Sequence, residues 1–323
     1  MLKRISIRKI LVASSALFAL LLICLIPTDQ PTQLQNQLKQ ELEYVNKEAI
    51  TATIFLQDSQ NMLAMTEVIV QNTNQEIEAK AKELIEYLIK GGPNESKIPN
   101  GFKAIIPSET KINAVKYENN LLKIDLSKEA LEVEEEQEEK IIEAIVYTLT
   151  TIPDIKNIII YIDGDILTKL PKSKINLPST LDRSFGINKQ YDIKSTKDIT
   201  SVTTYYVNKF NDNYYYVPVT KVLNDERDKI KIIIEDLTSS PIYNSNLMSF
   251  LNNNTKLLAA NEENDILTLE FNEFIFNDID TQNILEEVIY TICLSVADNY
   301  DVKEVIFEVE NKEIYKSVLK TIE

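Results

Sequence analysis

One hydrophobic pattern occurs twice along this chain, and no other feature restricts its fold as strongly. The two occurrences lie about 145 residues apart and keep the same order of segments, as tandem copies of one domain do. The pairs of matching segments are 53–55 with 204–206, 121–131 (LLKIDLSKEAL) with 266–276 (ILTLEFNEFIF), 141–149 (IIEAIVYTL) with 284–292 (ILEEVIYTI), and 157–162 with 304–309. The helical match aligns Tyr147 and Thr148 with Tyr290 and Thr291.

Each copy alternates between two periodicities. Leu122, Ile124 and Leu126 are separated by single polar residues, which predicts a strand with one buried face. In residues 141–149 the apolar residues recur every third or fourth position, which predicts a helix with an apolar stripe. Earlier helices are predicted near 76–90, ending at a Gly-Gly-Pro sequence, and near 225–237.

Two strand-like runs precede each earlier helix, so one copy reads β-β-α-β-β-α-β. We predict an α+β fold: two tandem copies of a two-layer sandwich, each a small mixed sheet with two helices on one face. The predicted segments are a cytoplasmic tail (1–9), a transmembrane anchor or signal (10–26), a stalk (27–49), domain 1 (50–167), a linker (168–199) and domain 2 (200–323).

The N-terminal segment predicts export of the rest of the chain. Residues 10–26 (ILVASSALFALLLICLI) carry no charge and follow Lys3, Arg4, Arg8 and Lys9, so the positive-inside rule keeps the N-terminus cytoplasmic. We favour an uncleaved single-span anchor. The alternatives are a lipoprotein signal ending at Cys24, although Leu22 and Ile23 are not small, and a cleaved secretory signal.

Composition excludes several functional classes. The net charge is −16, and residues 1–26 contribute +4, so the remainder carries −20, which disfavours nucleic-acid binding. The chain has no histidine, the commonest general base and metal ligand, and only 5 glycines, so phosphate-binding loops are not expected. Two cysteines so far apart, Cys24 and Cys293, exclude a disulfide framework. No cofactor or metal is expected.

Several residues are candidates for a functional site, and each has a simpler interpretation. The acidic run 132–139 (EVEEEQEE) is interpreted as the solvated start of a helix, and Asp163-Gly164-Asp165 as a turn after a strand. Asp125 and Glu270 match one another, as do Thr148 and Thr291; we expect surface strand positions and helix flanks. Cys293 is interpreted as a buried thiol, and Cys24 has lipidation as its plausible modification. The tyrosines between 205 and 216 favour strand pairing within copy two, with a partner-facing surface as the alternative.

The chain resembles the GerMN-domain family of sporulation and spore germination proteins, in its tandem-domain form. The resemblance rests on residues 105–115 (IIPSETKINAV), 121–131, 143–165 and FGIN at 185–188. It implies a membrane-anchored or lipid-anchored protein that acts in the complex between mother cell and forespore. It also implies a domain similar to the ring-building modules of secretion-type assemblies, with self-association into rings as a further option. Copy two departs from the pattern, since it lacks the Gly-Gly-Pro stop and the Asp-Gly turn.

Three hypotheses about function follow. The first is a non-catalytic, extracytoplasmic scaffold that docks envelope or sporulation proteins through its two domains. The second is a cell-wall-modifying enzyme that uses paired carboxylates, for which 50 Asp and Glu residues offer material. The third is a module that binds a germinant or a cation in a pocket.

Overall fold

Helix and strand bounds in this computed structural model, which describes residues 50–71, 76–239 and 246–319, follow the two sequence periodicities. The helices are α1 (Ile77–Leu88), α2 (Glu135–Leu149), α3 (Lys229–Thr238) and α4 (Glu286–Asn299). The strands of copy one and the segment after it are β1 (Ile50–Asp58), β2 (Leu63–Val70), β3 (Phe102–Lys103), β4 (Ile112–Glu118), β5 (Leu121–Leu126), β6 (Asn157–Ile162), β7 (Asp165–Ile166) and β8 (Gln190–Asp192). Those of copy two are β9 (Ile199–Phe210), β10 (Asn213–Asn224), β11 (Leu257–Glu263), β12 (Ile266–Phe271), β13 (Glu304–Val309) and β14 (Lys312–Val318).

The predicted α+β class is confirmed, with a mixed sheet in each copy. The sheets have the orders β4-β5-β6-β7 and β11-β12-β13-β14, and in each the two central strands are parallel. In β5 and β12 every second residue is buried, so one face of each sheet packs against helices and the other faces solvent. The edge strands β4 and β11, which occupy corresponding positions in the two sheets, contain an irregularity at the same place, one residue after their start.

The first hairpin of each copy lies outside these mixed sheets, which the sequence did not predict. The β1–β2 and β9–β10 hairpins join one six-stranded sheet of order β3-β1-β2-β10-β8, with β9 on the other side of β10. Residues 52–58 of β1 are all buried, without alternation. A strand of this kind must be covered on both faces, so it cannot lie at the exposed edge of a half-solvated sheet.

The two copies pack so closely that each contributes a residue to the apolar core of the other. From Ile50 onward the chain forms one compact unit. Tyr205 of copy two belongs to the apolar core of copy one, and Ala64 of copy one belongs to the core of copy two. The segment 168–199 also contributes core residues, among them Leu181 and Ile187. The copies are therefore held by packing as well as by their shared sheet.

The N-terminal predictions concern residues that the structure does not describe. The predicted anchor at 10–26, the stalk at 27–49 and Cys24 all lie outside the described residues. Within 50–71, 76–239 and 246–319, no helix is both long and apolar enough to cross a bilayer.

Candidate functional site

Five polar residues with buried contacts lie where the two copies meet. We call this region the joint and define it by Asp58, Glu143, Arg183, Asn188 and Asp298. Asp58 and Glu143 come from copy one, Asp298 comes from copy two, and Arg183 and Asn188 come from the segment 168–199 between them.

Asn188 replaces hydrogen bonds that a β ladder would otherwise supply. Strands β2 and β10 pair through one residue couple, Met65 and Tyr216. Beyond it β10 carries Pro218, which has no N–H to donate. The Asn188 side chain accepts the N–H of Leu63 at 2.9 Å and donates to the carbonyls of Leu63 at 2.7 Å and Pro218 at 2.8 Å. Its backbone is left-handed, with φ 48°, a conformation that asparagine tolerates well.

Glu143 is a buried carboxylate on α2 that bonds the same segment. Only 2% of the residue is exposed, and its Oε2 accepts the backbone N–H of Asn188 at 2.9 Å. The Lys189 Nζ lies 3.8 Å from the Glu143 Oε1 but 2.8 Å from the Glu139 Oε1. The same ammonium stands 3.2 Å from the centre of the Phe185 ring. Burial raises the pKa of Glu143 to about 7, although Lys189 and the Asn188 N–H both act to lower it.

Arg183 connects the C-terminal ends of α2 and α4. Its guanidinium donates to the Thr150 Oγ1 at 3.0 Å and the Tyr147 carbonyl at 3.3 Å, and it forms an ion pair with Asp298, whose side chain is 2% exposed. The Asp298 carboxylate also accepts the hydroxyl of Tyr205 at 2.9 Å. Burial acts against the charge on Arg183, yet Asp298, together with Tyr205 and Tyr147, more than offsets it and holds the pKa of Arg183 above its ordinary value. Burial, reinforced by Asp298, raises the pKa of Tyr205.

The Arg183 guanidinium also packs on aromatic rings of copy one. It lies 4.8 Å from the centre of the Tyr147 ring and 5.5 Å from that of Phe55. Those two rings meet edge to face, 5.3 Å apart. Stacking on aromatic faces in addition to forked hydrogen bonding is a property of arginine that lysine lacks.

Asp58 forms a third polar contact between the copies. Its Oδ2 accepts the hydroxyl of Tyr215 at 3.0 Å and the amide of Asn208 at 3.4 Å, both from the second hairpin. Its Oδ1 accepts the N–H groups of Gln60 and Met62, so the turn between β1 and β2 holds the carboxylate in place. Nearby, Gly101 has φ 95°, and an added Cβ would lie 2.6 Å from the Phe210 ring of copy two.

In each copy the second helix closes the free edge of the first strand. The Thr148 Oγ1 on α2 accepts the N–H of Phe55 at 3.0 Å, and the Thr151 Oγ1 donates to the Thr53 carbonyl at 2.9 Å. In copy two, the Ser295 Oγ on α4 accepts the N–H of Tyr205 at 2.9 Å, and the Asn299 amide donates to the Thr203 carbonyl at 2.7 Å.

This geometry corrects the alignment of the two helices. The structural counterpart of Thr148 is Ser295, whereas the sequence match placed Thr291 there. Thr291 instead donates to the Glu287 carbonyl of its own helix. A shift of four residues keeps the same helix face buried, so apolar periodicity alone could not distinguish the two alignments.

The other candidate residues do not gather into a reactive site. Asp163 and Gly164 form the turn between β6 and β7, both with positive φ, and the Asp125 carboxylate accepts the Gly164 N–H. Thr148 and Thr291 are fully buried and are not the exposed helix flanks that we expected. The tyrosine-rich strands β9 and β10 pair along their length, as predicted. Cys293 is buried, and burial raises the pKa of its thiol to about 11.

The acidic run differs from its prediction at one residue. Glu135 and Glu136 are exposed in the first turn of α2, as a solvated helix start requires. Glu138 is fully buried. Its carboxylate accepts the N–H groups of Lys172 and Ser173 in the segment between the copies, and these bonds replace those to water. Within the described part of the chain, no group of three or more Asp, Glu, Cys or His residues is placed to hold a metal ion.

Two clefts in the described structure stand out. The larger, about 400 Å³, lies between α3, β10 and β8, and its acids are Asp192, Glu235 and Asp236. Of these only Asp236 is mostly buried, and Lys221 neutralises it at 2.5 Å. The smaller, about 190 Å³, lies at the start of α4 and is lined by Phe250, Phe274 and Phe276, with two asparagines as polar groups. Neither cleft brings two buried acids together, which is what the hydrolase hypothesis required.

Sequence reasoning did not find the joint. Asn188 lies in the FGIN segment, which was noted only for its family resemblance. A glutamate at position 143, within an otherwise apolar helix face, was the one available signal that this face contacts something polar.

Comparison with known proteins identifies a matching family, a similar protein and a similar solved structure. A model of the Germane family, described as sporulation and spore germination, matches residues 53–168 and 203–315. The spore germination protein GerM of Bacillus subtilis is 34% identical over 242 residues, an alignment that spans 73% of this chain and 66% of that protein, just under two thirds of its length. The solved tandem GerMN domains of the sporulation protein GerM from Bacillus subtilis superpose with a TM-score of 0.75 at 29% identity, covering 81% of this chain and 92% of that one.

Proposed function

Because this chain belongs to the Germane family of sporulation and spore germination proteins, we propose that it is a non-catalytic scaffold of that process. In this proposal it is anchored in the cell membrane through residues 10–26, with the bulk of the chain outside the cytoplasm. Its two domains dock proteins of the envelope complex. The roles of its relatives in sporulation and germination support the process, and the N-terminal charge pattern supports the topology.

The observation that carries the proposal is how the buried polar groups are used. Arg183, Asn188 and Asp58 bond residues of both copies and thereby fix one copy relative to the other. A catalyst needs reactive groups that converge on a place where substrate can bind. Here Arg183 and Asp298 pair across the joint, and Asp58 and Glu143 bond polar groups of the facing strands and of the segment between the copies instead. A fixed spacing between two similar domains suits a protein that holds partners at set positions.

Co-purification from sporulating cells tests the docking part of the proposal. Arg183→Met breaks the joint, whereas Arg227→Met removes an arginine whose ion pairs among the described residues, with Asp225 and Glu235, lie inside copy two. We expect wild-type protein and the Arg227 variant to recover the same envelope proteins, and the Arg183 variant to recover fewer. Equal recovery by all three, or no envelope protein with wild type, would contradict docking through a fixed pair of domains.

A second measurement separates the scaffold from the carboxylate enzyme. Purified protein is incubated with cell-wall material, and soluble fragments are measured over time. The scaffold proposal expects release at the level of a buffer blank. Release that depends on Asp236, measured with Asp236→Asn, would favour the enzyme instead.

The anchor can be tested independently of the docking. Protease added to intact protoplasts should digest the domains from Ile50 onward and leave a short N-terminal fragment. Mass spectrometry of the mature N-terminus decides the alternatives at Cys24, since a lipid on that cysteine or cleavage before it would replace the uncleaved anchor.

A further inference from the structure

The two copies differ in chemistry at one position of the joint. With Thr148 aligned to Ser295, Glu143 of α2 corresponds to Tyr290 of α4. Glu143 is 2% exposed and Tyr290 is 46% exposed. Copy two forms the same helix on the same strand edge without a carboxylate here, so the fold of one copy does not require it. The Glu143 carboxylate therefore serves the contact with Asn188 and the segment between the copies.

The surroundings of Glu143 compensate its charge only in part. Glu139 and Lys140 are the charged residues near it on its own helix, and Lys189 and Tyr191 are the titratable residues near it on the segment between the copies. Lys189 stands 1.0 Å closer to Glu139 than to Glu143, at 2.8 Å against 3.8 Å. The Lys140 Nζ donates to the carbonyl of Asn61 instead. The buried carboxylate thus relies on one backbone N–H and a shared, more distant ammonium.

We propose that the joint is proton-responsive, with Glu143 as its sensor: it stays closed when Glu143 is protonated and opens locally more often when Glu143 is ionised. Opening would carry the segment around Asn188 away from α2 and admit water to the carboxylate. Water stabilises the ionised form, so ionisation favours the open state. This inference rests on the geometry of the joint and holds whether or not the chain is a scaffold.

The direction with pH follows from linkage. In the closed joint the pKa of Glu143 is about 7, against 4.5 for a carboxyl in water. A raised pKa stabilises the closed state fully below about pH 4.5, and that stabilisation is lost as the pH rises to about 7. For a carboxylate that is fully solvated in the open state, the opening equilibrium constant rises by on the order of 100-fold across this range.

Hydrogen exchange on purified full-length protein tests the proposal. The probes are the backbone amides of Leu63 and Asn188, which are bonded only while the joint is closed. After correction for intrinsic exchange, we expect their opening constant in wild type to rise between about pH 5 and about pH 8, with most of the rise complete near pH 7. In Glu143→Gln, where an amide oxygen still accepts the Asn188 N–H, it should not change with pH.

Two further variants keep the test decisive. Glu139→Gln removes a neighbouring negative charge that raises the pKa of Glu143, so the midpoint should move to lower pH while the response persists. Lys189→Met removes the cation that lowers this pKa, so the midpoint should move to higher pH, and this variant serves if Glu143→Gln fails to fold. A flat wild-type profile, an equal response in Glu143→Gln, or unchanged midpoints in both neighbours would overturn the proposal.

Discussion

The two copies place their second helix on their first strand with the same hydrogen bonds but with different side chains. Copy one uses two threonines, Thr148 and Thr151, and copy two uses Ser295 and Asn299. What has been kept is one acceptor for a strand N–H and one donor for a strand carbonyl, about one helical turn apart. The comparison teaches that the repeat preserves hydrogen-bonding capacity at fixed places, which residue identity does not reveal.

The copies differ most where each faces the other. At the ends of the second helices, copy one contributes the Tyr147 and Thr150 atoms that bind Arg183, while copy two contributes the carboxylate of Asp298. The arrangement is therefore asymmetric, with one guanidinium between an uncharged helix end and a charged one. The two helix ends therefore contribute different groups to the same contact, although they belong to copies of one domain.

The largest expected loss of stability comes from removing the charge of Arg183 at the joint. Arg183→Met leaves the Asp298 carboxylate buried without its cation, which costs about 3–5 kcal/mol when one partner of a buried pair is lost. Urea unfolding of the full chain measures this free energy. The double variant Arg183→Met with Asp298→Leu should recover most of the loss, because no buried charge remains. A single variant within about 1 kcal/mol of wild type would contradict the buried pair.

A glycine next to the joint, Gly101, allows the cost of a steric clash to be separated from the cost of an unfavourable backbone conformation. Gly101→Ala adds a methyl group that meets the Phe210 ring, in a backbone with φ 95°, and we expect a loss of about 2–3 kcal/mol. Gly164→Ala is the matched control, since it has φ 88° and no atom within 4 Å. Unfolding of both variants gives the clash as the difference. If both variants lose the same free energy of unfolding, the Phe210 ring of copy two does not clash with a side chain at position 101.

Hydroxyl deletions should reveal which helix alignment is correct. Thr148→Val and Ser295→Ala each leave a buried strand N–H without an acceptor, at a cost of about 1–3 kcal/mol. Thr291→Val should cost less than about 1 kcal/mol, since its hydroxyl bonds only a carbonyl of its own helix. Thermal unfolding ranks the three variants. A Thr291 variant as unstable as the Thr148 variant would restore the alignment inferred from the sequence.

The smallest expected change in stability comes from the solvent-facing side of the mixed sheets, where the two copies carry different residues. Lys123 on β5 pairs with Glu118 at 3.3 Å, and both are solvent-exposed to a large degree. The matching position of copy two is Thr268, without a cation. Lys123→Thr therefore makes copy one resemble copy two, and the free energy of unfolding should change by less than about 0.5 kcal/mol. A larger change would mean that Lys123 stabilises the fold more than an exposed ion pair usually does.

Local patterns predicted the helices and most central strands. The apolar alternation within 121–131 and 266–276 predicted strands where β5 and β12 lie, because the residues of a half-buried strand alternate between apolar and polar with its two faces. Strand β14 was not predicted, since it is mostly exposed and lacks an apolar alternation. The shared sheet was missed for a different reason: the Met65–Tyr216 contact joins residues far apart in the chain, and nothing near either one encodes it.

The candidate site was the least predictable part. Arg183 and Asn188 lie in a stretch without periodicity, where a polar residue is unremarkable until its partners are known. Their importance comes from burial among groups of both copies, which only the three-dimensional arrangement provides. Glu138 illustrates the same limit, because the same acidic run includes the exposed Glu135 and Glu136 and yet Glu138 is fully buried.

The hydroxyls of Thr148 and Ser295 also bear on aggregation. An open strand edge offers a row of unpaired amides to which a foreign strand can add, and the first step of such growth is pairing with a free N–H. Each copy assigns one helix side chain to that N–H on β1 and β9, so these edges cannot extend into an intermolecular sheet without first displacing a helix. At these two edges, protection against intermolecular strand pairing therefore depends on one hydroxyl group in each copy.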